Sequence, residues 1–430
     1  MQMIITAKPK QFVRPVLGNL FLVLSLFILT LGVSGCATYQ SKVDQARHYL
    51  AEGKPQEAAD YLKPLAEKDD GDQLIYVYDY ATALQAAQNF KESSKWYEVA
   101  YKMGEQKDYT SVGRQAGSLL LSEEMVQYKG EDFERLFVHL MLALNYLSLN
   151  DLEGANVETR RLIDRLNYYR IEEKKPYEQN PFAFYLNGHI WEANRNWDSA
   201  YIDFEKAYTL NPNLKAVQED LVRTAYKARR TEQFQKWSKK FGIPKNPDWE
   251  NSKNGELVVF YLQGFGPRKA PRPDSPRFPM LMPVQNHTHW AEVEIKKDNI
   301  PFRRDETELA YNVQDVAIKT LNDQYAGLVA KRIAGFVAKD AAAKQIGKKN
   351  EALGLVALIA MHASDRADLR QWSTLPQTIQ VARYSLPVGK YEVQAKGLSL
   401  RKEQTGENSE MIPVEIRSGR KSFVIWRSWR

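Results

Sequence analysis

The chain has 430 residues, of which 26% are charged and 43% hydrophobic, and its formal net charge is +7. A chain of this length can form two or three domains with hydrophobic cores. The small positive excess is spread over the sequence and does not indicate binding to nucleic acid. The sequence contains one cysteine, which excludes an internal disulfide and a cysteine-based metal site.

The first 35 residues have the three-part order of a secretory signal. Three basic residues and no acidic residue are followed by an apolar run over residues 16–33 and by a small pair that ends at Gly35. This order predicts a signal peptide over residues 1–35, cleaved between Gly35 and Cys36. The apolar run of 18 residues is also long enough for an uncleaved transmembrane helix with Cys36 as a buried thiol, which is the alternative.

Val33-Ser34-Gly35-Cys36 resembles a bacterial lipobox. The resemblance implies that the thiol of Cys36 carries palmitate-type acyl chains and that the mature protein begins at this residue. Two or three chains together anchor a protein to a membrane, whereas one chain does so only marginally. Residue 37 is alanine and not the aspartate that retains such lipoproteins in the inner membrane. The resemblance therefore implies the outer membrane, facing the periplasm, with residues 36–41 as a short tether.

Residues 42–243 show helical periodicity and predict an array of helical repeats. The clearest repeat matches the tetratricopeptide (TPR) template at Phe184, Gly188, Trp191, Ala200, Phe204, Ala207 and Pro212. Gly188 and Ala200 are small where the two helices would cross, and Phe204 would fill the space around the crossing. A weaker copy contains Ala143, Tyr146 and Ala155. The spacing of the copies is irregular, which predicts an extra helix over residues 111–128 and a polar loop over residues 172–180.

Helical arrays of this kind present a concave face that binds an extended segment or another helix. Residues expected to be exposed on the first helices of the repeats are candidates for binding a protein partner: Tyr76, Asp79, His139 and Asn145. The alternative is that the array is only a spacer that holds the rest of the chain away from the membrane.

Residues 244–255 are rich in Pro, Asn and Lys and predict a linker, after which residues 256–430 predict a C-terminal α+β domain. Short β-rich runs predict a small antiparallel sandwich with strands over residues 256–263, 291–296, 379–384, 391–395, 412–416 and 423–429. Residues 307–344 predict a long amphipathic helix inserted in it. The fold class is thus a TPR-like α-solenoid followed by a strand-rich domain with a helical insertion.

Three further stretches of this half allow two interpretations each. Residues 267–283 are rich in proline and contain Arg272, which predicts an extended crossover or a surface for an anionic partner. His287 and His289 would share one strand face, but no third ligand lies nearby, so no metal site is predicted. Residues 352–361 are apolar but too short to span a bilayer. They predict a helix buried in the core or a segment that dips into the membrane.

Motifs of catalysis are missing from the sequence. It contains no G-x-S-x-G, no glycine-rich phosphate loop and no H-E-x-x-H. The densest polar cluster contains Asp365, Asp368, Arg370 and Trp372. Its carboxylates could act as acid and base, but the alternating arginines favour ion pairs that fix a turn. Neither an enzyme nor a cofactor is predicted, and Asp368, Arg370, Trp372 and Arg272 remain candidates for binding a partner.

Several segments together resemble one family of proteobacterial TPR-containing outer-membrane lipoproteins. The resemblance rests on the lipobox, residues 143–147, residues 154–161, Gly264–Pro267, and residues 368–372 before Leu375-Pro376. Genes of this family often lie beside those for lipoprotein activators of peptidoglycan synthases, which implies a role in envelope assembly. The predicted function is an adaptor with a protein partner in the TPR groove. The alternative is an enzyme or binding module that acts on envelope glycan, such as peptidoglycan, or on lipid through the C-terminal domain.

Overall fold

The computed structural model describes residues 39–108, 127–172, 180–250, 253–351, 353–356, 358 and 367–430. The predicted signal peptide, its cleavage site and Cys36 lie outside these ranges. So do most of the predicted extra helix at 111–128, most of the polar loop at 172–180, and Asp365. Every helix in the described ranges is too short or too polar to span a bilayer.

Ten α-helices precede the first strand in the described ranges. They are α1 Tyr39–Ala51, α2 Pro55–Glu67, α3 Gln73–Ala86, α4 Phe90–Asp108, α5 Asp132–Ser148, α6 Leu152–Ile171, α7 Pro181–Ala193, α8 Trp197–Leu210, α9 Lys215–Lys227 and α10 Thr231–Phe241. From α2 onward, each helix packs against the next one in the chain. Packing between sequence neighbours is the pattern of a helical solenoid.

The ten helices form five pairs, and a similar turn joins the two helices of each pair. The turn inside each pair contains one residue with a positive φ angle, at Gly53, Gln88, Asn150, Arg195 and Arg229. These positions are 35, 62, 45 and 34 residues apart, so the repeat is irregular in the same places as the sequence pattern. Some helices begin with a side-chain N-cap. The side chain of Asn180, for example, accepts hydrogen bonds from the first amides of α7.

Eleven strands and one further long helix follow in the described ranges, and residues 351, 353–356 and 358 are helical as well. The strands are β1 Asn254–Gln263, β2 Arg268–Pro271, β3 Pro279–Met282, β4 Trp290–Lys297, β5 Ile300–Glu306, β6 Glu308–Asn312, β7 Thr378–Pro387, β8 Gly389–Leu398, β9 Gln404–Asn408, β10 Ile412–Ile416 and β11 Lys421–Arg427. Helix α11, Val313–Gly347, lies between β6 and β7. One sheet has the order β11-β1-β7-β6, a second has β10-β8-β4-β5 with β9 beside β8, and β2 pairs with β3.

The two larger sheets form the predicted sandwich. Leu257 and Val259 of β1 lie in one hydrophobic cluster with Val293 of β4 and Val393 of β8. The next residues along β1 face the opposite way, and Phe260 contacts Phe182 of α7 at 5.4 Å between ring centroids. Because both faces of β1 are covered, residues 257–262 are apolar without alternation.

Several details of the predicted sandwich are wrong. β1 pairs with β11 in parallel, so the four-stranded sheet is mixed and not wholly antiparallel. Residues 308–312 form β6, which pairs with β7, and the long helix therefore starts at Val313 and not at residue 307. The proline-rich stretch contains the β2-β3 hairpin in place of an irregular extended loop. Strands β5 and β9 were not predicted at all.

In the apolar stretch at residues 352–361, Gly354 is buried and Leu358 is half-buried, but three other large side chains are exposed. Leu353, Leu355 and Val356 are each between 58% and 61% exposed. The expected helix is therefore present at these residues, but the expectation that it buries its large side chains in the core is wrong.

The helical array and the strands pack into one compact unit over residues 43–430. Helices α5, α7 and α9 contact β11, β6 and β7, all of which belong to the four-stranded sheet. Helix α3 buries twelve of its 14 residues and α7 buries eleven of its 13. A helix that is covered on one side only buries a single face. The first helices of the repeats are therefore covered on both sides, by their partner helices and by the C-terminal half.

Candidate functional site

The groove predicted to bind a partner is filled by residues 367–376 of the same chain, called here the inserted segment. Trp372 is 2% exposed, and its ring stacks on Tyr78 of α3 at 4.6 Å between centroids. Its indole nitrogen donates hydrogen bonds to Thr82 at 3.0 Å and to Thr374 at 3.1 Å. The groove thus surrounds one aromatic side chain and satisfies its only donor.

Asp79 receives the residues that follow this tryptophan. Its carboxylate accepts hydrogen bonds from the hydroxyl of Ser373 at 3.1 Å and from that of Thr374 at 2.7 Å. It also accepts one from the backbone amide of Thr374 at 3.1 Å. Asp79 is fully buried, and three donors of the inserted segment converge on it. This carboxylate therefore fixes the inserted segment in the groove.

The other end of the inserted segment is held by ion pairs. Arg370 binds Asp368 through two nitrogens, at 2.8 and 2.7 Å, and reaches Asp72 before α3 at 3.0 Å. These contacts lower the pKa of the Asp368 carboxyl against the effect of its burial. The arrangement matches the predicted ion pairs that fix a turn, and both charges of the pair are neutralised inside the protein.

The four residues predicted to be exposed in the groove are all buried, at 2% for Tyr76, 0% for Asp79, 4% for His139 and 0% for Asn145. The expectation of their exposure is wrong, because the inserted segment covers Asp79 and neighbouring helices of the array enclose His139 and Asn145. His139 contacts Glu158 at 2.7 Å, and Asn145 binds Gln85 and Ser93 at 2.8 and 2.9 Å. The side chains of His139 and Asn145 therefore contact other residues of the same chain and do not face an open groove.

Arg272 lies apart from the groove, just after β2. It donates to Asp274 at 3.2 Å, and its guanidinium lies 4.3 Å from the ring centre of Tyr325 in α11. The structure therefore brings Asp368, Arg370 and Trp372 together with Asp79, while Arg272 belongs to the contact between the β2-β3 hairpin and the long helix.

An open cavity of about 360 Å³ lies where the end of the array meets the four-stranded sheet, and is called here the charged cavity. Ligand-binding cavities in proteins usually measure ~300–1,000 Å³. Its wall is formed by α7, α8, α9, β1, β7, β11 and the turn around Trp249, and its ionisable lining residues are Glu192, Arg195, Glu219, Arg223, Lys227, Asp248, Glu256, Arg383, Arg420 and Lys421.

A buried ionic network forms the floor of the charged cavity. Arg223 of α9 binds both oxygens of Glu192 at 2.7 Å and one oxygen of Asp220 at 2.5 Å. Arg383 of β7 lies 2.5 Å from Glu256 of β1. Removing one partner from such a network leaves an uncompensated buried charge. Arg223 also lies 3.3 Å from Glu256 of β1, so the network joins the array to the sheet.

Lys421 of β11 completes the network. Its ammonium donates to Glu256 and lies 2.8 Å from Glu192. It also lies 3.1 Å from Nδ1 of His189. Burial and then the positive charge of Lys421 hold the pKa of His189 well below its usual range, so this histidine is neutral.

His189, Glu192 and Asp220 are close enough to one another to be considered as metal ligands. The carboxylates of Glu192 and Asp220 already receive hydrogen bonds from Arg223. A cation bound there would have to compete with the guanidinium of Arg223 and the ammonium of Lys421, so the donor set does not favour a metal.

The sequence interpretation missed the charged cavity. Its floor residues come from three strands and two helices that are up to about 230 positions apart in the chain. A signal was present, since Glu256 and Arg383 are single charges next to or within apolar strand segments. Charges of opposite sign in adjacent buried strands predict an ion pair once the strand pairing is known, but the sequence does not supply the pairing.

No family model matches the sequence, and no curated protein matches it. Some solved structures resemble about half of the chain. A protein of Podosopora anserina assigned as a kinesin light chain, with nearly identical TPR-like repeats, is 15% identical over 49% of this chain and 96% of its own, at a TM-score of 0.34. MamA from Desulfovibrio magneticus RS-1 is 15% identical over 47% and 90%, at a TM-score of 0.28. BtubC from P. vanneervenii is 15% identical over 46% and 76%, at a TM-score of 0.30. Such low TM-scores transfer neither fold nor function, and the repeat architecture is assigned from the helix pairs themselves.

Proposed function

We propose that the protein is a non-catalytic scaffold of the bacterial cell envelope, anchored to the outer membrane through acylated Cys36 and facing the periplasm. It binds an envelope component, and the charged cavity is its binding site. This keeps the adaptor role that the sequence predicts but moves the binding site out of the helical groove.

The proposal rests on one observation: the helical groove is filled by the chain itself, whereas the charged cavity is open. The groove is filled by the inserted segment, whose Trp372, Ser373 and Thr374 are all buried. An incoming partner would have to break the contacts to Asp79 and Tyr78 before it could bind. The charged cavity is open, and two parts of the chain that lie far apart in sequence build it together. Ligand sites occur preferentially at junctions between separate parts of a protein.

The lipobox at Val33-Ser34-Gly35-Cys36 supports the membrane anchor. The family resemblance supports a role in envelope assembly linked to peptidoglycan synthesis. The lack of catalytic motifs in the sequence supports a binding protein.

The anchor is tested with a Cys36→Ser variant expressed in a bacterium that processes lipoproteins and fed an alkyne-bearing palmitate. Wild type is expected to carry the label and to remain with the outer membrane, whereas the variant is expected to lose the label and to leave the outer-membrane fraction. A variant that stays in the inner membrane, together with an unlabelled wild type, would favour the uncleaved helix.

The binding site is tested in the same cells with a photo-reactive residue at Asp248 or Ser385 on the charged cavity, or at Tyr76 or Asn145 in the groove. The proposal predicts cross-links to an envelope component from the cavity positions and only internal products from the groove positions. Capture of a partner from the groove positions alone, in folded protein, would contradict it.

A further inference from the structure

The charges of the cavity differ between its floor and its rim. On the floor, the cations Arg223, Arg383 and Lys421 are matched by the buried carboxylates Glu192, Asp220 and Glu256. The floor is therefore close to neutral, and it has no charge to spare for a ligand. Any preference for a charged ligand has to come from the rim.

Three cations on the rim are not matched in this way by any described residue. Arg195, Lys227 and Arg420 line the cavity, and none of them forms an ion pair with another residue in the described ranges. Burial lowers the pKa of Lys227, Glu250 and Glu192 oppose this effect, and the neighbouring Arg223 and Arg195 add to it. These positive charges face the same cavity, and an anion bound among them would relieve their mutual repulsion.

The rim also offers two indole rings. Trp197 and Trp249 line the cavity, and the ammonium of Lys227 lies 5.4 Å from the ring centre of Trp197. The indole nitrogen of Trp249 is buried and has no hydrogen-bond partner within the described part of the chain. A buried donor without a partner destabilises the protein, so an acceptor atom of a ligand would restore a missing hydrogen bond.

Uncharged and acidic groups complete the rim. Asn246, Asn254 and Ser385 can both donate and accept hydrogen bonds, and Asp248 and Glu219 can accept them. Hydroxyl groups need partners of both kinds, and the apolar face of a sugar ring packs on indole. Carboxylates on the rim would repel a ligand made of anionic groups alone. The mixture therefore favours a polyhydroxylated ring that carries one anionic group.

We propose that the charged cavity binds an anionic sugar, with its phosphate or carboxylate among Arg195, Lys227 and Arg420 and its ring against Trp197 or Trp249. This inference rests on the proposed function and names the chemical class of the envelope component. The same chemistry occurs in a glycan strand and in the head group of a glycolipid.

The proposal is tested by titration calorimetry on the full chain in detergent micelles, with glucose 1-phosphate, glucuronic acid, glucose and inorganic phosphate as probes. The two anionic sugars are expected to bind at least tenfold more tightly than glucose or phosphate alone, because each of those lacks one half of the ligand. Added salt is expected to weaken the binding, since rim charges are screened by ions.

A double variant, Lys227→Met with Arg420→Gln, is expected to bind the anionic sugars at least tenfold more weakly while its melting temperature stays that of wild type. The matched control is Lys91→Met with Arg401→Gln, which removes the same two residue types at exposed positions outside the cavity. It is expected to leave the affinity unchanged. Equal affinity in both double variants would overturn the assignment.

The two natural sources are separated by vesicles that contain an anionic glycolipid and by soluble glycan fragments. Binding to vesicles alone would assign the site to a head group, and binding to fragments alone would assign it to a glycan strand. If no probe gives a saturable signal, the anionic-sugar assignment is wrong. If photo-reactive residues at Asp248 or Ser385 still gave cross-links to an acidic protein, the proposed scaffold function would hold although the anionic-sugar assignment is wrong.

Discussion

Glu134 of α5 connects the groove to the inserted segment at the level of a single carboxyl group. It is fully buried, and it accepts hydrogen bonds from the backbone amide of Trp372 at 2.5 Å and from the hydroxyl of Tyr128 at 2.6 Å. Burial, with a contribution from Glu131, raises the pKa of Glu134 to about 7, against the opposing effect of Lys269.

This shift makes stability depend on pH in a defined direction. Between pH ~4.5 and 7 the folded protein holds a proton on Glu134 that the unfolded chain has released, so the free energy of unfolding falls as pH rises through this window. A shift of about 2.5 pKa units corresponds to about 3 kcal/mol. In Glu134→Gln this contribution should disappear, and urea unfolding between pH 4.5 and 7.5 should show a smaller loss of stability than in wild type.

The comparison isolates Glu134 because the other groups that titrate in this window are present in both proteins. They include Asp203, whose pKa burial raises to about 7, and His189, whose pKa is lowered. The amide that replaces the carboxyl group retains one acceptor oxygen, so the variant is expected to fold with a lower overall stability. An identical pH slope in wild type and variant would show that Glu134 is not the group responsible.

The helix pair α7-α8 shows how the repeat depends on close packing. A Cβ atom placed on Gly188 would lie 2.7–3.0 Å from ring atoms of Phe204, which is closer than real side chains approach. Phe204 is fully buried and cannot move without displacing its neighbours. Overpacking of this kind typically costs ~1–3 kcal/mol.

Gly188→Ala is therefore expected to lower the free energy of unfolding by ~1–3 kcal/mol in denaturant titrations. Gly327→Ala is the matched control, because Gly327 lies inside α11 with nothing within 4 Å of the added atom. There the substitution should stabilise by about 0.4–1 kcal/mol by restricting the unfolded chain. A stabilising effect at Gly188 would mean that the two helices do not cross as closely as described.

At the scale of single helices and strands, much of the structure was predictable from the sequence. The helix pairs follow from small and aromatic residues at helical spacing, and β1 follows from the apolar run over residues 257–262. The failures have a common cause, because β6 and β9 are short strands whose partners decide their structure. Glu308–Asn312 continues the spacing of the following helix, and only its pairing with β7 makes it a strand. The local sequence pattern of a segment does not indicate which strand it pairs with.

For the whole molecule, the sequence supports a two-part chain but does not tell how the parts meet. Asp79 and Thr374 are 295 positions apart and share a buried hydrogen bond. A first-helix side chain in a repeat looks the same in sequence whether it faces solvent, a partner or its own chain. The groove residues were therefore placed correctly on the first helices but assigned the wrong neighbours.

The charged cavity was unpredictable for the same reason. Its rim and floor come from both halves of the chain, and no single segment contains a recognisable binding motif. Its existence depends on the four-stranded sheet lying against the first helices, which buries the opposite charges together and leaves the rim cations unmatched among the described residues.

Hydrogen exchange of the full chain tests the central claim, that the groove is closed by the chain itself. The amides of Trp372 and Thr374 donate to Glu134 and Asp79, so they should exchange as slowly as those of β1. Asp79→Ala should speed exchange in the inserted segment far more than in β1. If residues 370–375 of the wild type exchange as fast as an open loop, the groove is free to bind a partner and the account is wrong.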